Sequence, residues 1–126
     1  MQKEASFGIR LRHYLRRYPL TTEAHIEVKD TRGKSYFAFS EVKEEQINNG
    51  LASKSDTGNL ICVESGTIGA PDYCYFRNSP AYVVINYPDG FVFIDIERFV
   101  MEKESSARKS LTWDRAKEIS VKTVLK

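Results

Sequence analysis

The chain of 126 residues contains few of the residues that zinc-binding and disulfide-stabilised proteins concentrate. It has two cysteines, two histidines, four prolines and seven glycines. Cys62 and Cys74 lack a Cys-x-x-Cys spacing, and His13 and His25 alone do not complete a zinc site. We expect both cysteines to be free thiols. The low content of glycine and proline excludes a low-complexity chain.

Long apolar runs are also missing. The longest are a few residues, such as 81–85, whereas a membrane-spanning helix needs about 20. The first residues lead into an arginine-rich amphipathic segment and show no apolar stretch of the kind found in signal peptides. We therefore expect one soluble, cytoplasmic domain, which is also what the length indicates.

Charge is unevenly distributed along the chain. Residues 1–34 carry eight Lys or Arg against four Asp or Glu, 35–102 carry four against ten, and 103–126 carry seven against three. Basic segments can bind phosphates and acidic segments can bind metal ions. The alternative is a solvated surface on which the charges are merely uneven.

The first half of the sequence predicts a helix, a hairpin and a second helix. Apolar residues at helical spacing, from Phe7 to Tyr18, predict a helix over 4–18. Alternation predicts strands over 23–30 and 36–39, which the turn between them would join as a hairpin. Ser40 is a favourable N-cap for a helix over 41–53.

The second half of the sequence is rich in strands. These are predicted over 60–64, 73–77, 81–87 and 91–96, with a turn at 88–90 between the last two. The same patterns predict a strand pair within about 60–77, a short helix over 96–101 and a mobile loop over 102–110. Thr112 caps a final helix. The element order predicts a single mixed α+β (α/β) domain.

Glu27-Val28-Lys29 is the sharpest local feature. Strand alternation places Glu27 and Lys29 on one face. A carboxylate binds Mg²⁺ through hard oxygen, and the Val28 carbonyl offers another oxygen ligand. An ammonium two residues on can orient water or neutralise charge on a phosphate. The alternative is an ordinary pair of charges on an exposed strand.

The segment His25-Ile26-Glu27-Val28-Lys29-Asp30-Thr31-Arg32-Gly33-Lys34-Ser35-Tyr36-Phe37-Ala38-Phe39 resembles the active-site segment of RecU-type Holliday-junction resolvases, in the PD-(D/E)XK nuclease superfamily. The resemblance continues through the later strands and an Arg-Lys-Ser-Leu element at 108–111, and it extends to short phage-type relatives. The residues that fall in register without gaps are Glu27, Lys29, Thr31, Lys34, Ser35, Phe37, Phe39, Gln46 and Ile47.

The resemblance implies a restriction-endonuclease-like core, with a central mixed sheet flanked by helices. It implies a homodimeric endonuclease that hydrolyses phosphodiesters in branched DNA with Mg²⁺ or Mn²⁺, in a bacterial or phage-infected cell. Glu27, Lys29 and Gln46 would be the catalytic residues. The metal would be held by Glu27, the Val28 carbonyl and a further acid.

The further acid departs from the family pattern. In the superfamily an Asp lies on a strand before Glu-x-Lys, but no Asp precedes Asp30 here. The strand pair at about 60–77 is an insert relative to the family pattern. The candidates are Asp72, which follows Pro71 in this insert, and Glu64, with Glu23 and Glu4 as further possibilities. Asp72 has the alternative reading of a turn residue. A catalytically inactive nuclease-fold protein, acting by DNA binding or as a phage inhibitor, is therefore the alternative function.

The basic ends supply candidates for DNA binding. The alternative for each basic residue is a solvated surface charge, and the alternative for Thr31 is ordinary turn chemistry. Only the set, together with Glu-x-Lys, indicates DNA. The candidates are Arg10, Arg17, Thr31, Arg32, Lys34, Arg108 and Lys109.

Overall fold

A computed structural model describes residues 3–20, 24–54, 60–63, 73–76 and 80–126. Its elements are α1 (Lys3–Arg17), β1 (His25–Asp30), β2 (Tyr36–Ala38), a 3₁₀ helix (Phe39–Glu41), α2 (Glu44–Lys54), β3 (Leu60–Val63), β4 (Tyr73–Phe76), β5 (Ala81–Tyr87), β6 (Gly90–Asp95), α3 (Ile96–Ser105), β7 (Ser110–Thr112), α4 (Trp113–Ile119) and β8 (Lys122–Leu125). The mixed α+β class is confirmed.

A four-stranded mixed sheet in the order β1-β5-β6-β8 forms the centre of the fold. β1 and β5 are parallel, and α2 lies between them in the sequence, as a parallel connection requires. β5, β6 and β8 follow as antiparallel neighbours. β1 and β8 are therefore the edges of the sheet.

The hairpin predicted over 23–39 is wrong. β2 pairs antiparallel with β7, not with β1, in a separate two-stranded sheet. After β1, the Thr31 backbone N–H still donates to the Asn86 carbonyl. Arg32 and Gly33 then take positive φ values of 58° and 86°. This turn directs the chain out of the central sheet, so that 36–38 meets a partner far along the sequence.

Helices cover both faces of the central sheet, and each face has its own hydrophobic cluster. α1 packs on one face, where its Phe7 and Leu11 are buried with Val84 and Phe93. The other three helices pack on the opposite face. The larger cluster there contains Phe37, Phe39, Val42, Ile47, Ala81, Val83, Ile85, Tyr87, Val92, Ile94, Ile96, Phe99, Leu111, Ala116 and Ile119.

The second helix begins three residues later than the sequence predicted. The stretch 39–41 forms the 3₁₀ turn, and α2 starts at Glu44. Phe39 and Val42 are buried in the larger cluster. Burying these two apolar residues requires the tighter turn before the α-helix can begin.

The helix predicted over 96–101 is longer than expected. α3 extends to Ser105, so the loop predicted over 102–110 is wrong in its first part. Asp95 caps the N-terminus by accepting hydrogen bonds from the backbone of Glu97 and Arg98. Glu102 is 6% exposed and pairs with Arg98 and Arg115. These ion pairs stabilise a polar turn that looks unstructured in the sequence.

Other parts of the second half agree with expectation. β5 and β6 pair across the turn at 88–90, and β3 pairs antiparallel with β4 within the predicted insert. The Thr112 hydroxyl accepts from the Arg115 backbone and caps α4. β8 was not predicted. Within the described ranges, no helix is long and apolar enough to cross a membrane.

Candidate active site

Glu27 and Lys29 lie on the same face of β1, as alternation predicted. In register with β5, Glu27 is opposite Val83 and Lys29 is opposite Ile85, and both apolar partners belong to the larger cluster. The Glu27 side chain is 21% exposed, whereas Lys29 as a whole is 8% exposed. A carboxylate that reaches solvent thus lies beside a lysine that is largely enclosed.

The Val28 carbonyl points away from β5, toward the open edge of the sheet. The backbone N–H groups of His25 and Thr31 donate to β5-side carbonyls at 2.8 and 3.0 Å. Backbone groups alternate along a strand, so those of the even-numbered residues point to the other side. Since β1 is an edge of the central sheet, the Val28 oxygen has no ladder partner within that sheet.

His25 belongs to the same face, and the sequence reading did not select it. Its Nε2 atom lies 3.8 Å from Glu27 Oε2. That nitrogen is buried and has no hydrogen-bond partner in the described part of the chain. The face of β1 therefore presents imidazole, carboxylate and ammonium in sequence. The sequence signal that could have identified His25 was its i, i+2, i+4 spacing with Glu27 and Lys29, which places all three on one face of a strand.

Gln46 has a structural contact. Its Oε1 atom accepts a hydrogen bond of 2.9 Å from the backbone N–H of Lys43, the residue before α2. A glutamine at the third helical position that bonds back to the N-cap residue is half of a capping box. This contact orients the start of α2, and a catalytic role for Gln46 stays a prediction.

The residues predicted as the further metal ligand lie outside the described parts of the chain. This applies to Asp72 and Glu64, and also to Glu23 and the side chain of Glu4. Among the described residues, no group of three or more His, Cys, Asp or Glu is placed to hold a metal ion. The described donors are the Glu27 carboxylate and the Val28 carbonyl. They fit Mg²⁺, which often binds one or two carboxylates and completes its shell with water and phosphate oxygens.

The predicted DNA-binding residues from the first third gather near the end of β1. Arg10 of α1 and Thr31 line one small cavity together with Gly33. Arg32 is in the adjoining turn and Lys34 follows it, with its ammonium 5.6 Å from the centre of the Tyr36 ring.

Arg17 is further along the same helix. It lies seven residues after Arg10, about 10 Å at the helical rise. Its guanidinium lies 5.7 Å from the centre of the Tyr18 ring.

Arg108 and Lys109 form a second region. Both are exposed and line a cavity of about 390 Å³ with Phe39, Ser40 and Lys103. In the β2–β7 pair, Ala38 is opposite Ser110 and Tyr36 is opposite Thr112. Lys34 precedes one end of this pair and Lys109 adjoins the other, so the two basic regions lie at opposite ends.

Neighbouring charges are already paired with one another. Glu102 accepts hydrogen bonds from the Arg115 guanidinium at 2.7 and 3.1 Å. These bonds hold the pKa of Glu102 below its ordinary value. The pair therefore stabilises the wall between α3 and α4, and Arg108 and Lys109 are, with Lys103, exposed cations of this region.

In comparisons with protein-family models, curated proteins and solved structures, none matches the chain.

Proposed function

We propose that the protein is a metal-dependent, structure-selective DNA endonuclease of the Holliday-junction-resolvase kind. The observation that carries the proposal is the arrangement on β1, with Glu27 and Lys29 on one face and the Val28 carbonyl at the open edge. The parallel strand β5, reached through α2, supports this strand from one side only. Among the described residues no strand pairs with its other side, where we expect the phosphate backbone to approach.

The chemistry assigns a role to each group. Glu27 and the Val28 carbonyl would hold Mg²⁺, which supplies Lewis acidity and charge for phosphodiester hydrolysis when bound. Lys29 would donate hydrogen bonds to the scissile phosphate and neutralise its developing charge. Its enclosed position fixes the ammonium in place, so that little reorganisation is needed during the reaction.

DNA would bind through the basic residues at the end of β1, with Arg108 and Lys109 as the second contact region. Two separated regions suit a branched substrate, whose arms diverge from one point. A homodimer would present two sites to the two symmetric strands of a junction. Binding led by phosphate contacts would weaken steeply with salt.

The test is cleavage of a labelled four-way junction beside a matched linear duplex, with Mg²⁺, with Mn²⁺ or with chelator. We expect paired, metal-dependent nicks in the junction. Glu27→Gln should slow cutting by at least about 10²-fold. The matched control is Glu45→Gln, since Glu45 is an exposed carboxylate in the first turn of α2. Equal cutting by the wild type and Glu27→Gln would refute the assignment.

A DNA-binding protein without catalysis is the second candidate. It is favoured by the single described carboxylate at the site, since the described residues contain no cluster of three metal-ligating side chains. It predicts junction binding that does not require divalent metal and no cleavage under any metal. Electrophoresis of the labelled junction on a gel without denaturant measures that binding, and comparison with the cleavage assay separates the two functions.

A further inference from the structure

A second site lies at the carboxyl ends of β1 and β5, on the face opposite Glu27 and Lys29. Alternation places Asp30 and Asn86 on the α1 side of the sheet, in register with each other. They line a cavity of about 160 Å³ whose wall also includes Arg10, Thr31, Pro88 and Lys126. The ends of parallel strands are a common place for ligands because side chains from two strands converge there.

Two buried oxygens in this region have no hydrogen-bond partner among the described residues. They are Thr31 Oγ1 and Asn86 Oδ1, in residues that are 5% and 6% exposed. The Asn86 amide nitrogen already donates to Asp30 Oδ2 at 3.4 Å, which sets the orientation of the amide. Asn86 Oδ1 can therefore only accept, and a buried unpaired acceptor is costly. Because Asn86 also lines the cavity, a ligand that carries an N–H or O–H donor could satisfy this acceptor.

The charges of the lining favour an anion. Arg10 and Lys126 contribute two cations against the single carboxylate of Asp30. Lys126 Nζ donates to the Tyr87 carbonyl at 2.9 Å. Burial, and then repulsion by Arg10, lower the pKa of Lys126, while attraction by Asp30 and Asp89 acts in the opposite direction. An anion between these two cations would relieve their repulsion.

Two simpler occupants satisfy only part of the lining. A divalent cation would find oxygen ligands in Asp30 and Asn86, but it would be repelled by Arg10 and Lys126. A bare, fully ionised phosphate would pair with the cations and leave Asn86 Oδ1 without a donor. A phosphate ester that also carries an amino or hydroxyl group satisfies both requirements, with the Thr31 hydroxyl free to donate to either part.

We propose that this pocket binds one nucleotide, with its phosphate between Arg10 and Lys126 and a donor group of its sugar or base on Asn86 Oδ1. The nucleotide is either free or part of a DNA strand at an end or branch point. Only the second possibility, a nucleotide within DNA, rests on the proposed endonuclease function. The cavity of about 160 Å³ is smaller than ordinary ligand pockets, so it would hold the phosphate and the adjoining part of the sugar, with the rest of the nucleotide outside it.

The first test is calorimetric titration of the full chain with deoxyadenosine 5′-monophosphate, deoxyadenosine and inorganic phosphate. We expect the nucleotide to bind at least about tenfold more tightly than either part, since each part loses one set of charged or polar contacts. Equal affinity for nucleotide and inorganic phosphate, or absence of nucleotide binding, would overturn the proposal.

Variants locate the binding. Thr31→Val removes a hydroxyl that has no partner in the described structure, so it should retain the melting temperature and weaken nucleotide binding about tenfold. Arg10→Gln should weaken it to a similar extent. Arg16→Gln is the control, because Arg16 is an exposed cation on the same helix and does not line the cavity. Equal losses in Arg10→Gln and Arg16→Gln would contradict a specific pocket.

Competition distinguishes the two sources. A four-way junction, or an oligonucleotide with a 5′-phosphate, should displace the nucleotide from the wild type if the occupant is part of DNA. If neither displaces it, the free nucleotide is the occupant, and the pocket assignment still holds. Glu27→Gln should bind the nucleotide like the wild type because it lies on the other face. Nucleotide binding without junction cleavage would therefore reject the endonuclease while retaining the pocket.

Discussion

Lys29→Met should make the protein more stable while removing its proposed activity. Lys29 is 8% exposed and faces the larger hydrophobic cluster beside Ile85. Its ammonium forms no ion pair with any described carboxylate. Enclosing a charge without such a partner costs free energy, and methionine has a similar length and no charge.

The expected gain follows from this placement. The lysine stem already packs as a hydrocarbon, so the substitution mainly removes the desolvation cost of the ammonium. Because that group keeps some contact with water, we expect an increase of about 1 kcal/mol in the free energy of unfolding. For a domain of this size the melting temperature should rise by about 4 °C. Junction cleavage should fall by at least about 10²-fold through loss of phosphate stabilisation.

Both quantities can be measured on one preparation, by urea unfolding and by the junction assay. Lys43→Met is the matched control, since Lys43 is exposed and its hydrogen bond to Gln46 uses the backbone N–H. The control should change neither stability nor cleavage by much. The predicted gain is about 1 kcal/mol. A loss of about the same size in Lys29→Met would show that the ammonium has a structural partner, and would refute the reasoning.

Two further predictions separate structural from functional roles. Gln46→Glu keeps the side-chain acceptor for the Lys43 N–H, so the free energy of unfolding should change by less than about 0.5 kcal/mol. A loss of cleavage without unfolding would then assign Gln46 to catalysis. Unchanged cleavage would assign it to capping alone. Glu102 has a folded-state pKa lowered by Arg115, so its contribution to stability is present above its ordinary value of 4.5 and is lost as the pH falls below that value. Urea unfolding of Glu102→Gln between pH 7 and pH 3 should therefore depend less on pH than that of the wild type, and parallel curves would contradict this role.

Local patterns in the sequence were enough to predict the elements that depend on local interactions. The turn at 88–90 joins β5 and β6 as expected, and Thr112 caps α4. In each case the residues that determine the structure are within a few positions of one another. The Glu27 and Lys29 face was predictable for the same reason, because alternation along one strand requires no knowledge of its neighbours.

Pairing between distant segments was not predictable in this way. The turn after β1 was expected, but the residues of the turn do not determine whether the next strand pairs with β1 or joins another sheet. β2 instead pairs with β7, more than 70 residues away in the sequence. β8 was missed because its half-buried residues contribute only weak alternation. The pocket had a sequence signal that was overlooked, namely the polar Asn86 within the otherwise apolar strand β5.

β1 links the two proposed sites through its alternation. Glu27 and Lys29 face the larger cluster, whereas Asp30 faces α1, so one strand carries polar chemistry on both faces. The backbone N–H of Arg32 donates to Asp30 Oδ1 at 2.8 Å, which ties the turn after β1 to the pocket. A ligand that orders the pocket would therefore also order this turn and its cations.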